Sequence, residues 1–105
     1  MRRGDVLWYK FKAPDERRPV LILTRTSAIS FLNALTIAPI TSTIRDIPSE
    51  VYLSREDGLL SDCAVNLDNL QTVSKEQLDG LIATLSPLRM QEVNQALAFA
   101  LGIDT

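Results

Sequence analysis

The chain has 105 residues, of which 46% are apolar and 23% are charged, the balance of an ordinary folded domain. This length leaves room for one hydrophobic core, so residues 1–105 are expected to form a single domain. The formal net charge of −2 is weak evidence against nucleic-acid binding, because proteins that bind phosphates usually carry a basic surface.

The charge is unevenly distributed along the chain. Residues 1–45 carry eight Lys and Arg against three Asp and Glu, a net charge of +5, whereas residues 46–105 carry a net charge of −7. A basic patch would form if the early segments met on one surface. The alternative is a set of scattered, solvated charges, which is the commoner arrangement.

Histidine is absent and cysteine occurs once, as Cys63. An intrachain disulfide cannot form, and we therefore expect a cytoplasmic protein. No metal site is expected, since the usual ligands are missing and no pair of carboxylates is suitably spaced. Apolar stretches such as residues 6–11 and 34–40 are too short to span a membrane.

The first two thirds of the chain predict short β-strands. Residues 5–11 carry apolar side chains on both faces of a first strand. A charged loop over 12–18 then leads into a second strand over 19–24, in which Pro19 takes the first position. Three more strands are predicted over 35–40, 50–53 and 63–67, with a turn at Asp57 and Gly58 between the last two.

The last third predicts one further strand and a helix. Ser74 caps a helical turn that ends before Gly80, and a strand follows over 81–85. Ser86 and Pro87 then begin a final helix that stops at Gly102. Its apolar residues form one stripe of Met90, Val93, Leu97 and Leu101, and a second of Ala96, Phe99 and Ile103. Either both stripes pack on the sheet, or the second meets a partner subunit.

The order of elements predicts a mainly β or α+β domain with a barrel-like sheet. Its candidate functional residues are an arginine pair and a run of hydroxyls. Arg17 and Arg18 precede a strand, where a guanidinium can hold a phosphate with two hydrogen bonds. Thr41, Ser42 and Thr43 follow another strand, and Arg45 adds charge nearby. Taken alone, these residues are better explained as solvated loop and turn residues.

Other side chains have two readings each. Asn66 and Asp68 could hydrogen-bond to base edges or could cap a turn. Cys63 is expected to be a small buried apolar residue. Trp8 and Phe31 are expected in the core rather than as platforms for stacked bases.

Five segments in order resemble the MazF/PemK family of toxins. They are Arg3-Gly4-Asp5-Val6, Arg18-Pro19-Val20-Leu21-Ile22-Leu23, Pro39-Ile40-Thr41-Ser42-Thr43, Val65-Asn66-Leu67-Asp68 and Thr84-Leu85-Ser86-Pro87. The resemblance covers nearly the whole chain. Each segment is unspecific alone, but five at suitable distances make coincidence improbable.

The resemblance implies an SH3-like barrel of the PemK/CcdB type with a C-terminal helix. It also implies a homodimer, a cognate antitoxin with an acidic disordered tail, and cleavage of single-stranded RNA without metal or cofactor. Arg18 matches the family's catalytic arginine, and Thr41 matches the hydroxyl residue paired with it. The residues expected to bind RNA are Arg17, Ser42, Thr43, Arg45, Asn66 and Asp68.

Two features depart from the family pattern. Asn66 stands where some relatives carry an arginine. The first loop, residues 12–17, is shorter than in many relatives, where a longer loop helps to shape the RNA groove. The RNA sequence that would be cut is therefore not predicted.

Cleavage would proceed by attack of the RNA 2′-hydroxyl on the adjacent phosphorus, with Arg18 and Thr41 stabilising the phosphoryl oxygens. The base is left open between Thr41, a carboxylate such as Asp68, and solvent. The rival hypothesis is a non-catalytic toxin on the same fold, such as a CcdB-like poison of DNA gyrase.

Overall fold

The computed structural model describes residues 1–10 and 16–103. The described strands are β1 (Asp5–Lys10), β2 (Arg17–Ile22), β3 (Ala34–Thr41), β4 (Glu50–Leu53), β5 (Cys63–Asn66), β6 (Gln71–Ser74) and β7 (Leu78–Thr84). The helices are α1 (Thr26–Ile29) and α2 (Pro87–Leu101), and Arg55–Asp57 and Lys75–Gln77 form single 3₁₀ turns.

All strand pairs are antiparallel, and the strand order is β4–β5–β3–β2–β1–β7, with β6 on the early half of β3. Within the described ranges no pairing joins β4 to β7, so the sheet does not close. The prediction of a mainly β fold with a C-terminal helix is confirmed. The expected barrel is an open, seven-stranded sheet.

The first hairpin is buried on both faces, as the apolar residues of its strands predict. Val6 and Leu21 lie opposite each other and belong to the core cluster that also contains Val93 and Ala96 of α2. Leu7 and Val20 form the next pair and belong to a second cluster on the opposite face. The hairpin therefore joins two hydrophobic layers.

Several boundaries differ from the prediction. β2 begins at Arg17, so Pro19 is its third residue; it pairs with Trp8 and lies outside the stretch 20–22 that pairs with β3. Its missing amide therefore leaves no gap in the β2–β3 ladder. β7 begins at Leu78 and passes through Gly80, which we had expected to precede the strand. Phe11 and residues 12–15 of the predicted strand and loop lie outside the described residues.

Two short elements were not predicted. Helix α1 has four residues and no side-chain cap. Strand β6 buries only Val73 among its four residues. Neither carries the capping residue or the apolar repeat on which a prediction depends.

The predicted caps of α2 are confirmed. The Ser86 hydroxyl accepts a hydrogen bond from the Arg89 amide, and the Gly102 amide donates to the carbonyls of Ala98 and Phe99. Both apolar stripes divide between core and surface: Met90, Val93, Ala96 and Leu97 pack on the core, whereas Phe99, Leu101 and Ile103 are at least half exposed.

The connection between β4 and β5 is held against α2 by an ion pair. The Asp57 carboxylate accepts hydrogen bonds from Arg89 Nε at 2.9 Å and from the Ser54 amide at 2.9 Å. Burial by itself would raise the pKa of Asp57, but these two bonds and the charge of Arg89 lower it below its usual value. Asp57 therefore stays ionised at neutral pH and fixes the loop.

No helix in the described part of the chain is long and apolar enough to cross a membrane.

The turn at Gly58 should be sensitive to a single added carbon. Gly58 has φ +96°, and a Cβ there would lie 2.9 Å from the Ala83 Cβ on β7. Gly102 has a similar φ of +70° but no atom within 4 Å of its Cβ position. We expect Gly102→Ala to lower the free energy of unfolding by about 1–2 kcal/mol through backbone strain alone. Gly58→Ala should lower it by about 1–3 kcal/mol more, because the methyl group overlaps β7. Urea denaturation measures both, and equal losses would contradict the proposed overlap.

Candidate functional site

A groove of about 360 Å³ opens beside the end of the first hairpin. Its walls come from the start of β2, the end of β3 and the connection that leads into β5. The lining residues are Trp8, Glu16, Arg17, Arg18, Pro19, Ile40, Thr41, Ser42, Leu59, Leu60, Ser61, Cys63 and Ile82. Four of the eight predicted site residues are therefore brought together, namely Arg17, Arg18, Thr41 and Ser42.

Arg18 and Thr41 lie near the ends of neighbouring strands, and both line the groove. β2 and β3 pair from Ile22 opposite Ile37 to Val20 opposite Pro39, and this register continued by two residues would set Arg18 opposite Thr41. Residues that lie opposite each other in an antiparallel pair project on the same side of the sheet. The sequence places an arginine and a hydroxyl on one face of the sheet at the mouth of the groove.

Arg18 is held loosely. Its side chain is 60% exposed, and its Nη2 lies 4.0 Å from Glu16 Oε1, at the outer limit of an ion pair. Glu16 is the one acidic residue among the described residues that line the groove. Glu16 was predicted only as part of a charged loop and not as a site residue, since nothing in the local sequence sets it apart from Asp15.

Arg17 is more firmly placed than Arg18. Its guanidinium carbon lies 4.9 Å from the centroid of the Trp8 ring, and its Nη2 lies 3.5 Å from Asp79 Oδ2. Lys10 Nζ approaches the same carboxylate oxygen at 3.8 Å. Trp8 is partly exposed in the groove, so its predicted place in the core is wrong.

Thr43 and Arg45 follow β3 and are exposed. The Thr43 amide donates to the Thr41 hydroxyl oxygen at 3.1 Å, which fixes that oxygen beside the strand end. The Arg45 amide donates to Glu50 Oε1 at 2.9 Å. Neither side chain lines the groove.

Asn66 and Asp68 cap the turn after β5, as one of their two readings proposed. The Asn66 side-chain oxygen accepts a hydrogen bond from the Asp68 amide at 2.9 Å. Asp68 Oδ2 accepts one from the hydroxyl of the buried Ser49 at 2.5 Å. Neither residue lines the groove, and their role in RNA binding stays a prediction.

Cys63 is buried, as expected, and lies at the groove wall. Burial raises the pKa of its thiol, and the charges of Asp57 and Asp62 raise it further. The thiol is therefore neutral at physiological pH and a poor nucleophile. Phe31, by contrast, is 67% exposed, so its predicted place in the core is wrong.

The basic residues of the first half are only partly gathered. Lys10, Arg17 and Arg18 meet near the groove. Arg3 lies elsewhere, where it donates to the Leu23 carbonyl and to Asn94.

Among residues 1–10 and 16–103, no three His, Cys, Asp or Glu side chains come together as metal ligands would.

The fold and the groove define a small β-rich protein whose candidate site lies at strand ends and carries arginines and hydroxyls. A family model described as PemK-like, MazF-like toxin of type II toxin-antitoxin systems matches residues 2–101. The chain belongs to this PemK/MazF toxin family.

Individual relatives agree with this assignment. The probable endoribonuclease MazF2 of Mycobacterium tuberculosis is 38% identical over 103 residues, which cover 97% of this chain and 99% of the relative. The probable endoribonuclease MazF5 of the same organism is 39% identical over 99 residues, 93% of this chain and 90% of the relative. The structure of the M. tuberculosis toxin MazF-mt6 superimposes with a TM-score of 0.87 at 32% identity, covering 96% and 99% of the two chains.

The raised pKa of Cys63 has a measurable consequence. Because thiolate is the reactive form, iodoacetamide should alkylate Cys63 in the folded protein at least about tenfold more slowly than in urea at pH 8. The rate in the folded state should still be rising at pH values where it has levelled off for a free thiol. Mass spectrometry of the single cysteine measures both. Equal rates in the folded and unfolded protein would show that the thiol is neither shielded nor raised in pKa.

Proposed function

We infer that this chain is an endoribonuclease and the toxin of a toxin-antitoxin pair, which cuts single-stranded RNA at a short sequence without metal. The whole of residues 1–105 would act as one toxin domain. Membership of the PemK/MazF family supports this inference, as do relatives named endoribonuclease. The observation that carries it is the meeting of Arg18 and Thr41 in one groove.

The reacting nucleophile is supplied by the RNA itself. The 2′-oxygen forms a bond to the adjacent phosphorus, the bond from phosphorus to the 5′-oxygen breaks, and that oxygen takes a proton. The products are a 2′,3′-cyclic phosphate and a free 5′-hydroxyl. Arg18 would hold and neutralise the phosphoryl oxygens with its fixed pair of donors, and the Thr41 hydroxyl would donate a further hydrogen bond.

The proton of the 2′-hydroxyl needs an acceptor. Asp68 accepts a hydrogen bond from the Ser49 hydroxyl and does not line the groove, so it is poorly placed for this role. Glu16 lines the groove beside Arg18 and is the carboxylate we assign as the acceptor. A guanidinium gives up a proton poorly near neutral pH, so the leaving oxygen would be protonated mainly by water and turnover should be modest.

The rival function, a gyrase poison without catalysis, is not favoured. It is compatible with the fold but gives no reason for an exposed arginine opposite a hydroxyl in a groove.

The other residues predicted to bind RNA would contact the strand on either side of the cleaved bond. They are Arg17, Ser42, Thr43, Arg45, Asn66 and Asp68.

The role of Arg18 and Thr41 can be tested directly. Arg18→Ala should lower the cleavage rate roughly a hundredfold or more, about 3 kcal/mol, because a transition-state donor is lost. Thr41→Ala should also lower it strongly. Neither change should alter stability by more than about 0.5 kcal/mol, since Arg18 is largely exposed and Thr41 partly so. The measurement is cleavage of a labelled RNA in excess EDTA, with the product ends determined by mass spectrometry.

Arg2→Ala is the matched control, because Arg2 is exposed and lines neither the groove nor the second depression on the surface. It should cut RNA at the wild-type rate. The mechanism fails if folded Arg18→Ala is as active as wild type, or if the products carry 5′-phosphates.

An antitoxin partner is part of the proposal. A solved structure described as an endoribonuclease in complex with its cognate antitoxin from a mycobacterial species superimposes with a TM-score of 0.88 at 28% identity, covering 100% of this chain and 98% of the other. An acidic, partly disordered antitoxin tail would suit a groove with two arginines, and would block RNA by occupying it.

Dimerisation is proposed from the apolar end of α2. A second depression of about 390 Å³ lies beside this end and is lined mainly by apolar residues, among them Leu23, Leu32, Leu70, Leu97 and Leu101. Sedimentation velocity at micromolar concentration should show a dimer. Leu101→Glu should shift it towards monomer, because it places a charge in the apolar contact. Gln91→Glu, an equal change of charge at an exposed site on the same helix, should not. A wild-type monomer would refute the proposal, and a dimer insensitive to Leu101→Glu would exclude this surface.

A further inference from the structure

The pairing of Arg17 with Trp8 is built by three strands. Arg17 lies on β2 and Trp8 on β1, and the β1–β7 register is irregular on the approach to Trp8. The residue opposite Trp8 on β7 is Asp79. The guanidinium carbon of Arg17 stands 4.9 Å from the indole centroid, and both side chains line the groove that contains Arg18 and Thr41.

The next residue along β7 leaves the edge of the indole uncovered. Gly80 has φ +74°, and a Cβ there would already touch Trp8 Cδ1 at 3.5 Å. A larger side chain would extend over the Trp8–Arg17 pair. The backbone conformation favours glycine, so no side chain fills the space beside the pair. Gly80 also lies where the register of β7 with β1 is irregular.

Fold stability does not explain the contact between Arg17 and Asp79. The two side chains are 46% and 53% exposed, and ion pairs with this much solvent contribute little to folding. Cancelling a cation beside a groove for an anionic strand also weakens general attraction for RNA. Neither stability nor attraction for RNA therefore explains a carboxylate at this position. A role in positioning Arg17 would explain it.

We propose that the Trp8–Arg17 pair is a stacking subsite for one unpaired nucleobase of the substrate, and that Asp79 is the positioning residue that holds Arg17 flat on Trp8. The proposal rests on the proposed function for its ligand class. Unpaired bases bind proteins by stacking on aromatic rings and on guanidinium planes, and this groove carries both in one layered unit. A base bound here would be a neighbour of the phosphate held by Arg18, so the subsite would set the register of cleavage.

The first test couples the base to Trp8. The probe is an uncleavable 2′-O-methyl copy of the RNA segment that the wild-type protein cuts, together with copies that each lack one base. Binding to every variant is followed by the anisotropy of a fluorophore on the probe, because Trp8→Leu removes the only tryptophan. In the wild type, quenching of Trp8 also reports occupation of the subsite itself. We expect one abasic position to weaken wild-type binding about tenfold, and Trp8→Leu to weaken the intact probe by a similar factor with no further loss at that position.

The second test uses Asp79→Asn, which keeps the shape and removes the charge. If Asp79 positions Arg17, KM for RNA should rise severalfold with kcat within about twofold, and Asp79→Glu should restore KM. If Asp79 only neutralises charge, KM should fall, because removal of a carboxylate strengthens attraction for RNA. Glu76→Gln, the same charge change at an exposed residue outside the groove, is the control and should lower KM slightly or leave it unchanged.

Each outcome decides the proposal. The proposal is overturned if every abasic position weakens binding and each loss adds to the effect of Trp8→Leu. It is also overturned if KM falls or stays constant in Asp79→Asn. Should Trp8→Leu fail to fold, the Asp79 series decides alone. If the wild-type protein cuts no RNA, the proposed function fails, and the abasic test is then made on a mixed-sequence 2′-O-methyl strand. A coupled position there supports the subsite without the activity, and absence of Trp8 quenching overturns both.

Discussion

The architecture depends on how the hydrogen-bonding capacity of β3 is divided. One edge of β3 pairs with β2 over residues 37–39, while the other edge pairs first with β6 and then, after a gap, with β5. Pro39, which has no amide donor, stands at this gap between the two ladders. Beyond this change of partner, Thr41 at the end of β3 pairs with Ala64 of β5 and lines the groove beside the start of β2.

The ion pairs of the arginines at the groove are weak enough for a ligand to replace them. Glu16 approaches Arg18 at the limit of an ion pair, and Asp79 is shared between Arg17 and Lys10 at still exposed positions. Such contacts each contribute about 0–1 kcal/mol, so a phosphate can replace Glu16 at Arg18 without disturbing the core. The strong ion pair of the fold, between Asp57 and Arg89, lies instead between the β4–β5 connection and α2. The loop that forms one groove wall is thus anchored to α2, while the arginines in the groove make only exposed, weak ion pairs that a ligand can replace.

The sequence predicts what local chemistry determines and misses what distant partners determine. Apolar residues on both faces of the strand located β1, and the serine and glycine caps located α2 to the residue. Gly80 was predicted to follow a helical turn and precede the strand, whereas it lies within β7, where the register with β1 is irregular beside Trp8. Arg18 and Thr41 were found through a family resemblance, but the placing of Glu16 and Asp79 near the groove's arginines depends on three-dimensional packing alone. Asn66 was ambiguous for the same reason, since its partner is a turn amide and not a groove ligand.

The chemistry of the groove limits how the protein can be controlled. There is no histidine in the chain, the pKa of the groove thiol is raised, and guanidinium groups stay charged at any working pH. Cys63 therefore stays neutral between pH 6 and 8. Occupation of the groove is then the route to control that the proposed function offers. The proposed acidic antitoxin chain would use the same two arginines that would bind RNA, and one ligand would exclude the other by charge and by volume.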